Sequence, residues 1–306
     1  MSNNWFVIHV ILILSFCFIR LDPVCAQDSR SVYQFNETLD LIEFVEQASQ
    51  HFAEKGSIAL LDFGIPDSKW FKESRFIFIY DLEGYCAFHP VHKEFVGQNV
   101  LHLKDMNGKP IIQLIIDIVS DENKGEGWLH YLWADWGGYT PSWKSAYVKR
   151  VTAPDGKTYA LGSGTYDIRT EKKFMIDIVN SAARLLENKG ESAYNTLIDK
   201  ANIYYFRDIY IFVINMKGEA IVDPVFPGRQ NRDLIDFRDM IGNYVVVDMI
   251  ERLSEADSAM VVYVWPKPGQ SNPSKKVAYV RKVNVNGEDM MVGSSMYIVE
   301  PIWRKF

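Results

Sequence analysis

Arg75-Phe-Ile-Phe-Ile-Tyr-Asp-Leu-Glu-Gly84 is the stretch that decides the fold, because a close version of it occurs a second time in the chain. The second version is Asp208-Ile-Tyr-Ile-Phe-Val-Ile-Asn-Met-Lys-Gly218. In both, a run of aliphatic and aromatic residues leads into a turn that ends in glycine. A short apolar run follows, at 85–88 and at 220–222. This pattern predicts a β-hairpin in each place.

Other blocks recur in the same order along the chain. Leu103-Lys-Asp-Met-Asn-Gly108 returns as Phe237-Arg-Asp-Met-Ile-Gly242, and Lys144-Ser-Ala-Tyr-Val-Lys-Arg-Val151 returns as Lys276-Val-Ala-Tyr-Val-Arg-Lys-Val283. The offset stays near about 133 residues, which is the size of a domain and longer than the repeat of a solenoid. The sequence therefore holds two copies of one fold, called here the first copy and the second copy.

Both copies show the same order of predicted elements. Apolar residues at helical spacing run from 38 to 55 in the first copy and from 174 to 189 in the second. A hairpin, a second helix and three more strands follow each time. This order predicts an α+β fold in which each copy has about five antiparallel strands, a long N-terminal helix and its helices on one face of the sheet. Asp105 and Asp239 precede the second helices, where we expect them to act as caps.

The expected domains are residues 27–169 and 170–306, preceded by a signal peptide at 1–26. No flexible linker separates the two copies in the sequence, so we expect a stiff connection. A chain of 306 residues with 48% hydrophobic residues can form two such domains, each with its own core. The net charge of -6 gives no basic footprint for nucleic acid.

Signatures of enzymes and metal sites are weak in this sequence. Gly162-Ser-Gly164 falls inside a predicted strand and not before a helix, so it does not indicate a phosphate-binding loop. His89 and His92 have a spacing that metal ligands use, but Asp223 and Phe226 replace them in the second copy. Cys86 is predicted to be a small buried residue. We therefore predict no catalytic activity, no metal and no cofactor.

A repeated set of aromatic and cationic residues supplies the candidate ligand site. Tyr and Trp walls with a cation would suit a small carboxylate. Lys and Tyr in each Lys-x-x-Tyr strand point to opposite faces, so only one of each pair can face a pocket. The alternative is that the aromatic residues belong to the core and that the basic residues are solvated. The candidates are Tyr131, Trp133, Lys144, Tyr147, His89, Lys104, Tyr263, Trp265, Lys276, Tyr279, Arg238 and Asp223.

These blocks resemble the Cache domain, in particular the single-Cache type of extracytoplasmic sensors. The resemblance rests on a Tyr-x-Trp strand, a Lys-x-x-Tyr-Val strand and a final Gly-x-Gly-x-Tyr strand. The second copy has Tyr263-Val-Trp-Pro-Lys-Pro-Gly269, and the first copy ends with Gly162-Ser-Gly-Thr-Tyr166. The second copy departs from the pattern with Gly293-Ser-Ser295. The resemblance implies a PAS-like fold that binds small organic molecules, often short carboxylates, outside the cytoplasmic membrane.

Three functions follow from the residues and the resemblance, in decreasing order of support. The first is a periplasmic or otherwise extracytoplasmic sensor that binds a C2–C4 carboxylate or a similar metabolite and signals through a membrane receptor or sensor kinase, since no output module follows in the sequence. The second is an interaction or scaffold module with one or both pockets collapsed. The third is an enzyme that acts on a small carboxylate. We expect the second copy to bind better, because its turn at 266–269 is closer to the family pattern.

The N-terminal residues have the pattern of a secretory signal. Trp5 to Ile19 is an apolar run too short for a typical membrane span. Val24-Cys-Ala26 is a cleavage site of small residues, and polar residues follow it. Two alternatives stay open, a retained anchor and a lipoprotein cut at Cys25.

Export with cleavage after Ala26 predicts a mature protein that begins at or near Gln27. N-terminal sequencing of protein from the cell envelope measures this directly. Recovery of a chain that retains residues 5–19 would contradict cleavage and would favour the anchor.

Overall fold

The computed structural model describes residues 31–134, 140–166 and 168–298. The predicted signal peptide and its cleavage site lie outside these residues. Among the helices of the described residues, none has both the length and the hydropathy to cross a bilayer. The helices are α1 Asn36–Lys55, α2 Ala59–Phe63, α3 Ile111–Ser120, α4 Lys172–Lys189, α5 Tyr194–Ile198 and α6 Val245–Glu255.

Antiparallel strands form one main sheet in each copy. The first sheet has the order β1-β2-β6-β5-β4, with β3 also paired to β2, and the second has the order β10-β9-β13-β12-β11. A separate hairpin, β7-β8, precedes the second sheet. The strands are β1 Phe71–Lys72, β2 Arg75–Asp81, β3 Cys86–Phe88, β4 Glu126–Ala134, β5 Pro141–Thr152, β6 Thr158–Tyr166, β7 Tyr205–Phe206, β8 Ile209–Tyr210, β9 Phe212–Asn215, β10 Ala220–Val222, β11 Ser258–Pro266, β12 Pro273–Val285 and β13 Glu288–Tyr297.

The predicted α+β class, the antiparallel sheets and the long N-terminal helix are confirmed. The position of the helices differs from the expectation, because the sheet of the first copy lies between α1 and α3. Phe78 and Tyr80 of β2 pack with α3, whereas Ile77 and Ile79 pack with α1. Successive residues of a strand point to opposite faces of the sheet. In β2 the residues on both faces are apolar, so each face needs a helix to cover it. The boundary at 169 and 170 stays a prediction.

The two aspartates before α3 and α6 have another role than the predicted one. The residues before the helices are Pro110 and Tyr244, and no side chain caps either helix, so the cap prediction is wrong. Asp239 instead accepts backbone hydrogen bonds from Asn243 at 2.8 Å and from Val264 at 3.1 Å. Asp105 does the same in the first copy. Each aspartate thus closes a loop and ties it to the neighbouring strand, β4 or β11.

Aromatic side chains join the two copies. The ring of His130 on β4 stacks on Phe206 of β7, with the ring centres 3.9 Å apart. The ring of Trp128 packs on that of Phe174 of α4, with the ring centres 5.1 Å apart. These residues come from both copies and lie side by side, so the first sheet is covered at β4 by the start of the second copy.

Two buried charged residues support this junction. Lys109, fully buried, donates from Nζ to the carbonyl of His130 at 2.6 Å and to that of Tyr205 at 3.1 Å. Burial lowers the pKa of Lys109 to about 8. Glu171, before α4, accepts the backbone N–H groups of Gln34 and Phe35 at the start of α1. Buried polar contacts thus join the copies in addition to the aromatic ones.

Phe206→Ala should destabilise the protein by roughly 3–5 kcal/mol, because it removes a buried aromatic ring from the junction. Lys72 is the matched control, since it holds the same place in the first copy. The residues that follow the two, Glu73 and Arg207, share a φ of 55°, and Lys72 is exposed. Lys72→Ala should change stability by less than about 0.5 kcal/mol. Urea unfolding of both variants checks this, and equal losses would contradict the role of Phe206.

Candidate ligand-binding site

Strand register places a lysine between two tyrosines in the second copy. Tyr263 of β11 pairs with Lys276 of β12, and Lys276 pairs with Tyr297 of β13. Directly paired residues of antiparallel strands point to the same face. The three side chains therefore form a row on the face that α6 covers. In the first copy Tyr131, Lys144 and Tyr166 form the same row.

A cavity of about 600 Å³ lies over this row in the second copy. Its walls come from the sheet, from α6, from the β7-β8 hairpin and from the segments 223–229 and 265–270. Trp265 and Asp223, two of the predicted residues, also line it. Its size is in the range of sites for small organic molecules.

Lys276 brings a buried cation into the cavity. The side chain is 5% exposed, and its Nζ lies 4.9 Å from the ring centre of Tyr297 and 5.7 Å from that of Tyr210. Burial lowers the pKa of Lys276, and the nearby positive charge of Arg229 adds to the effect, while the carboxylate of Asp208 opposes it. Among the described residues, Nζ has these ring contacts but forms no hydrogen bond or ion pair. A buried ammonium group in this state favours an anionic partner.

Arg229 brings a second cation to the same cavity. Its guanidinium lies 4.1 Å from the ring centre of Phe226, 5.0 Å from that of Phe237 and 5.9 Å from that of Trp265. Stacking on aromatic rings orients a guanidinium while leaving its edge able to donate hydrogen bonds.

The acidic residues of the cavity already have backbone partners. Asp223 accepts the N–H groups of Val225 at 3.1 Å and Phe226 at 2.8 Å. Asp208 accepts the N–H of Tyr297 at 3.0 Å. Four basic side chains line the cavity beside these two carboxylates, namely Arg207, Arg229, Lys267 and Lys276, so the cavity suits an anion better than a cation.

The tyrosines of the cavity can donate or orient hydrogen bonds. Burial raises the pKa of Tyr263 to about 12, so its hydroxyl is protonated at neutral pH. The hydroxyl of Tyr297 donates to the carbonyl of Pro266 at 2.6 Å and so ties β13 to the turn that borders the cavity.

Between the described residues, the same place in the first copy is nearly filled, with about 20 Å³ left. Tyr80 stands where the second copy has Ile214, and Phe95 stands where it has Arg229. These larger or less polar side chains occupy the space and remove one cation. The first copy thus has the row of residues but little room for a ligand. The predicted residues that border this small space are His89, Tyr131, Trp133 and Lys144.

Other predicted site residues lie elsewhere. Tyr147 packs against α1 and Tyr279 against α4, on the opposite faces of their sheets; the hydroxyl of Tyr279 donates to Asn180 at 3.4 Å. Strand alternation explains this, because the lysine three residues earlier in each strand faces the cavity side. Lys104 and Arg238 are exposed, and Arg238 bonds to the hydroxyl of Tyr244. These four residues therefore do not enter the site that we propose.

Sequence reasoning did not select Arg229, Asp208, Tyr210 or Tyr297, all of which line the cavity. The recurrence of Tyr297 within a repeated block could have pointed to it. Recurrence could not reveal Arg229, because the first copy has Phe95 at the equivalent position.

A family model described as "Cache domain" matches residues 34–180 and again 157–300. The chain belongs to the Cache domain family, as its sequence resemblance predicted.

Two curated relatives are signalling proteins. Over 94 residues the chain is 31% identical to the methyl-accepting chemotaxis protein McpP of Pseudomonas putida, covering 31% of this chain and 17% of that protein. Over 129 residues it is 26% identical to the sensor histidine kinase MctS of Rhizobium johnstonii, covering 37% of this chain and 27% of that protein. The matched stretches thus span less than a third of the length of either relative.

Solved structures include a Cache chemosensory domain studied for carboxylic acid recognition. It is 24% identical, covers 42% of this chain and 93% of its own, and has a TM-score of 0.36. A periplasmic sensor domain of a chemotaxis protein is also 24% identical, with 48% of this chain and all of that chain covered and a TM-score of 0.34.

His89 should make stability depend on pH, because burial, with the nearby charges of His92 and Lys144, lowers its pKa to about 3. Its Nδ1 accepts the N–H of His92 at 2.9 Å, the same role that Asp223 plays toward Phe226. The unfolded chain binds this proton near pH 6.5 and the folded chain does not, so stability should fall as the pH drops from about 6.5 to about 3.

His89→Asn keeps an acceptor and removes the titration, so the variant should lose less stability than the wild type over that pH range. Urea unfolding at several pH values measures this, with the exposed His102→Asn as control. Parallel pH profiles for His89→Asn and the wild type would show that His89 does not stay neutral in the fold.

Proposed function

We propose that this protein is an extracytoplasmic sensor whose second copy binds an organic carboxylate. The observation that carries the proposal is the buried cation Lys276, which faces a cavity of about 600 Å³ without an acceptor among the described residues. Arg229 supplies a second cation, and a carboxylate between the two would form charge-assisted hydrogen bonds.

The first copy is proposed to act as the structural partner. Its equivalent space of about 20 Å³ has room for about one water molecule and not for an organic acid. The proposed boundary between the copies lies at 169 and 170. The second copy binds the ligand, and the first copy supports it through the junction at Phe206. This differs from a scaffold with two collapsed pockets, because only one pocket is filled.

Signalling is proposed to pass to a separate membrane receptor or sensor kinase. The similarity to a chemotaxis receptor and to a sensor kinase supports this, and so does the predicted export signal. No catalytic role is proposed.

Lys276→Met should abolish ligand binding without lowering the melting temperature of the free protein. Met fills the space of the lysine stem and removes a buried charge, a change that is often neutral or stabilising. Thermal-shift measurements with straight-chain and aromatic carboxylates check this. A ligand at 100 times its Kd should stabilise the wild type by about 2.7 kcal/mol and leave the variant unchanged.

Lys144→Met is the matched control, because Lys144 occupies the same row in the nearly filled first copy. It should leave the ligand-induced shift intact. Loss of the shift in Lys144→Met but not in Lys276→Met would move the site to the first copy. The absence of any shift in the wild type with the whole panel would contradict the proposed function.

A further inference from the structure

The cavity of the second copy is larger than a short acid needs. Its 600 Å³ equal the share of roughly 20 water molecules in the liquid. The C2–C4 acids expected from the sequence would leave most of this volume to water or empty space. The size of the cavity therefore argues for a ligand with a body beyond its carboxylate.

The walls show what kind of body fits. Besides the cations, the cavity is bordered by Ile214 of β9, by Val245, Val246 and Met249 of α6, and by Leu234. All five are aliphatic or thioether side chains, and they belong to one apolar cluster or pack against it. Water forms no hydrogen bonds with such a wall. An alkyl or aryl group that packs against it is removed from water, which is favourable.

The charged end and the apolar end lie at different places along one strand. Lys276 pairs with Tyr297 of β13, and Ile214 pairs with Met291 of the same strand. These positions of β13 are about six residues apart, or roughly 20 Å at the rise of a β-strand. The register thus puts Lys276 and Ile214 at different places along the wall of the cavity.

The first copy shows which side chains make this room. Tyr80 replaces Ile214, and Ile111 and Ile112 replace Val245 and Val246. These exchanges fill the apolar part of the pocket in the first copy, and Phe95 in place of Arg229 removes a cation from its charged part. The two copies therefore share a backbone but differ in their pockets. The pocket is filled in the first copy, and the smaller aliphatic side chains of the second copy leave it open.

We propose that the ligand of the second copy is an amphipathic monocarboxylate with a medium-length alkyl or an aryl body, whose carboxylate lies at Lys276 and Arg229 and whose body packs against Ile214 and α6. The inference rests on the proposed function and narrows its ligand class. Short acids then bind weakly, because they use only the charged end of the cavity.

Calorimetry with the straight-chain acids from acetate to decanoate tests this on the mature protein. Affinity should rise about fourfold for each added methylene between butanoate and octanoate, the factor that corresponds to about 0.8 kcal/mol for a buried methylene group. Equal affinities for all lengths, or tightest binding of acetate or propanoate, would overturn the inference and leave the proposed function standing. No binding of any acid would overturn both.

Ile214→Tyr copies the first copy and should remove at least tenfold of the affinity for octanoate while changing that for butanoate less than threefold. Val262→Tyr is the control, because Val262 is 58% exposed on β11 and does not border the cavity. It should keep the full dependence on chain length. If Ile214→Tyr does not fold, Val245→Ile combined with Val246→Ile narrows the same wall and should shift the preference to shorter acids. Unchanged octanoate binding in a folded variant that fills the wall would overturn the inference.

Discussion

The site depends on the antiparallel register of three long strands. Pairing of β11 with β12 and of β12 with β13 puts Lys276 between Tyr263 and Tyr297, on a face that α6 closes. A lysine held there loses much of its hydration, and the tyrosine rings replace only part of it. The remaining electrostatic demand is for an anion. A shift of one residue in the register would turn the lysine to the face of α4 and remove the site.

One backbone supports two different interiors. The rows Tyr131–Lys144–Tyr166 and Tyr263–Lys276–Tyr297 are equivalent, yet the space beside them is about 20 Å³ in one copy and about 600 Å³ in the other. Side-chain volume at a few positions of the strands and the second helix makes the difference. A filled pocket stabilises the free protein through packing but cannot bind a ligand. An open pocket lacks this packing, and a bound ligand can restore the stability.

The cavity and the junction between the copies share one short hairpin. Phe206 stacks on His130 of the first copy, while its neighbours Tyr205 and Arg207 line the cavity of the second. The carbonyl of Tyr205 also accepts a hydrogen bond from the buried Lys109. The outward face of β4 is covered in this way, whereas Met260 and Val262, at the matching positions of β11, are 39% and 58% exposed. This face is therefore covered on β4 of the first sheet and exposed on β11 of the second.

The sequence by itself determined the repeat, the α+β class and the order of the elements, because these follow from local periodicity and from blocks that recur. It also identified Lys276, Tyr263, Trp265 and Asp223 as candidates for the site. It could not place α1 and α3 on opposite faces, since that depends on both faces of β2 being buried.

Only the tertiary structure decided which residue of each Lys-x-x-Tyr pair faces the cavity. It also decided which copy has room for a ligand and that Arg229 belongs to the site. Each depends on how side chains from distant segments fill a common volume. Recurrence finds what two copies share in their fold, but the capacity to bind arises here from the positions where they differ.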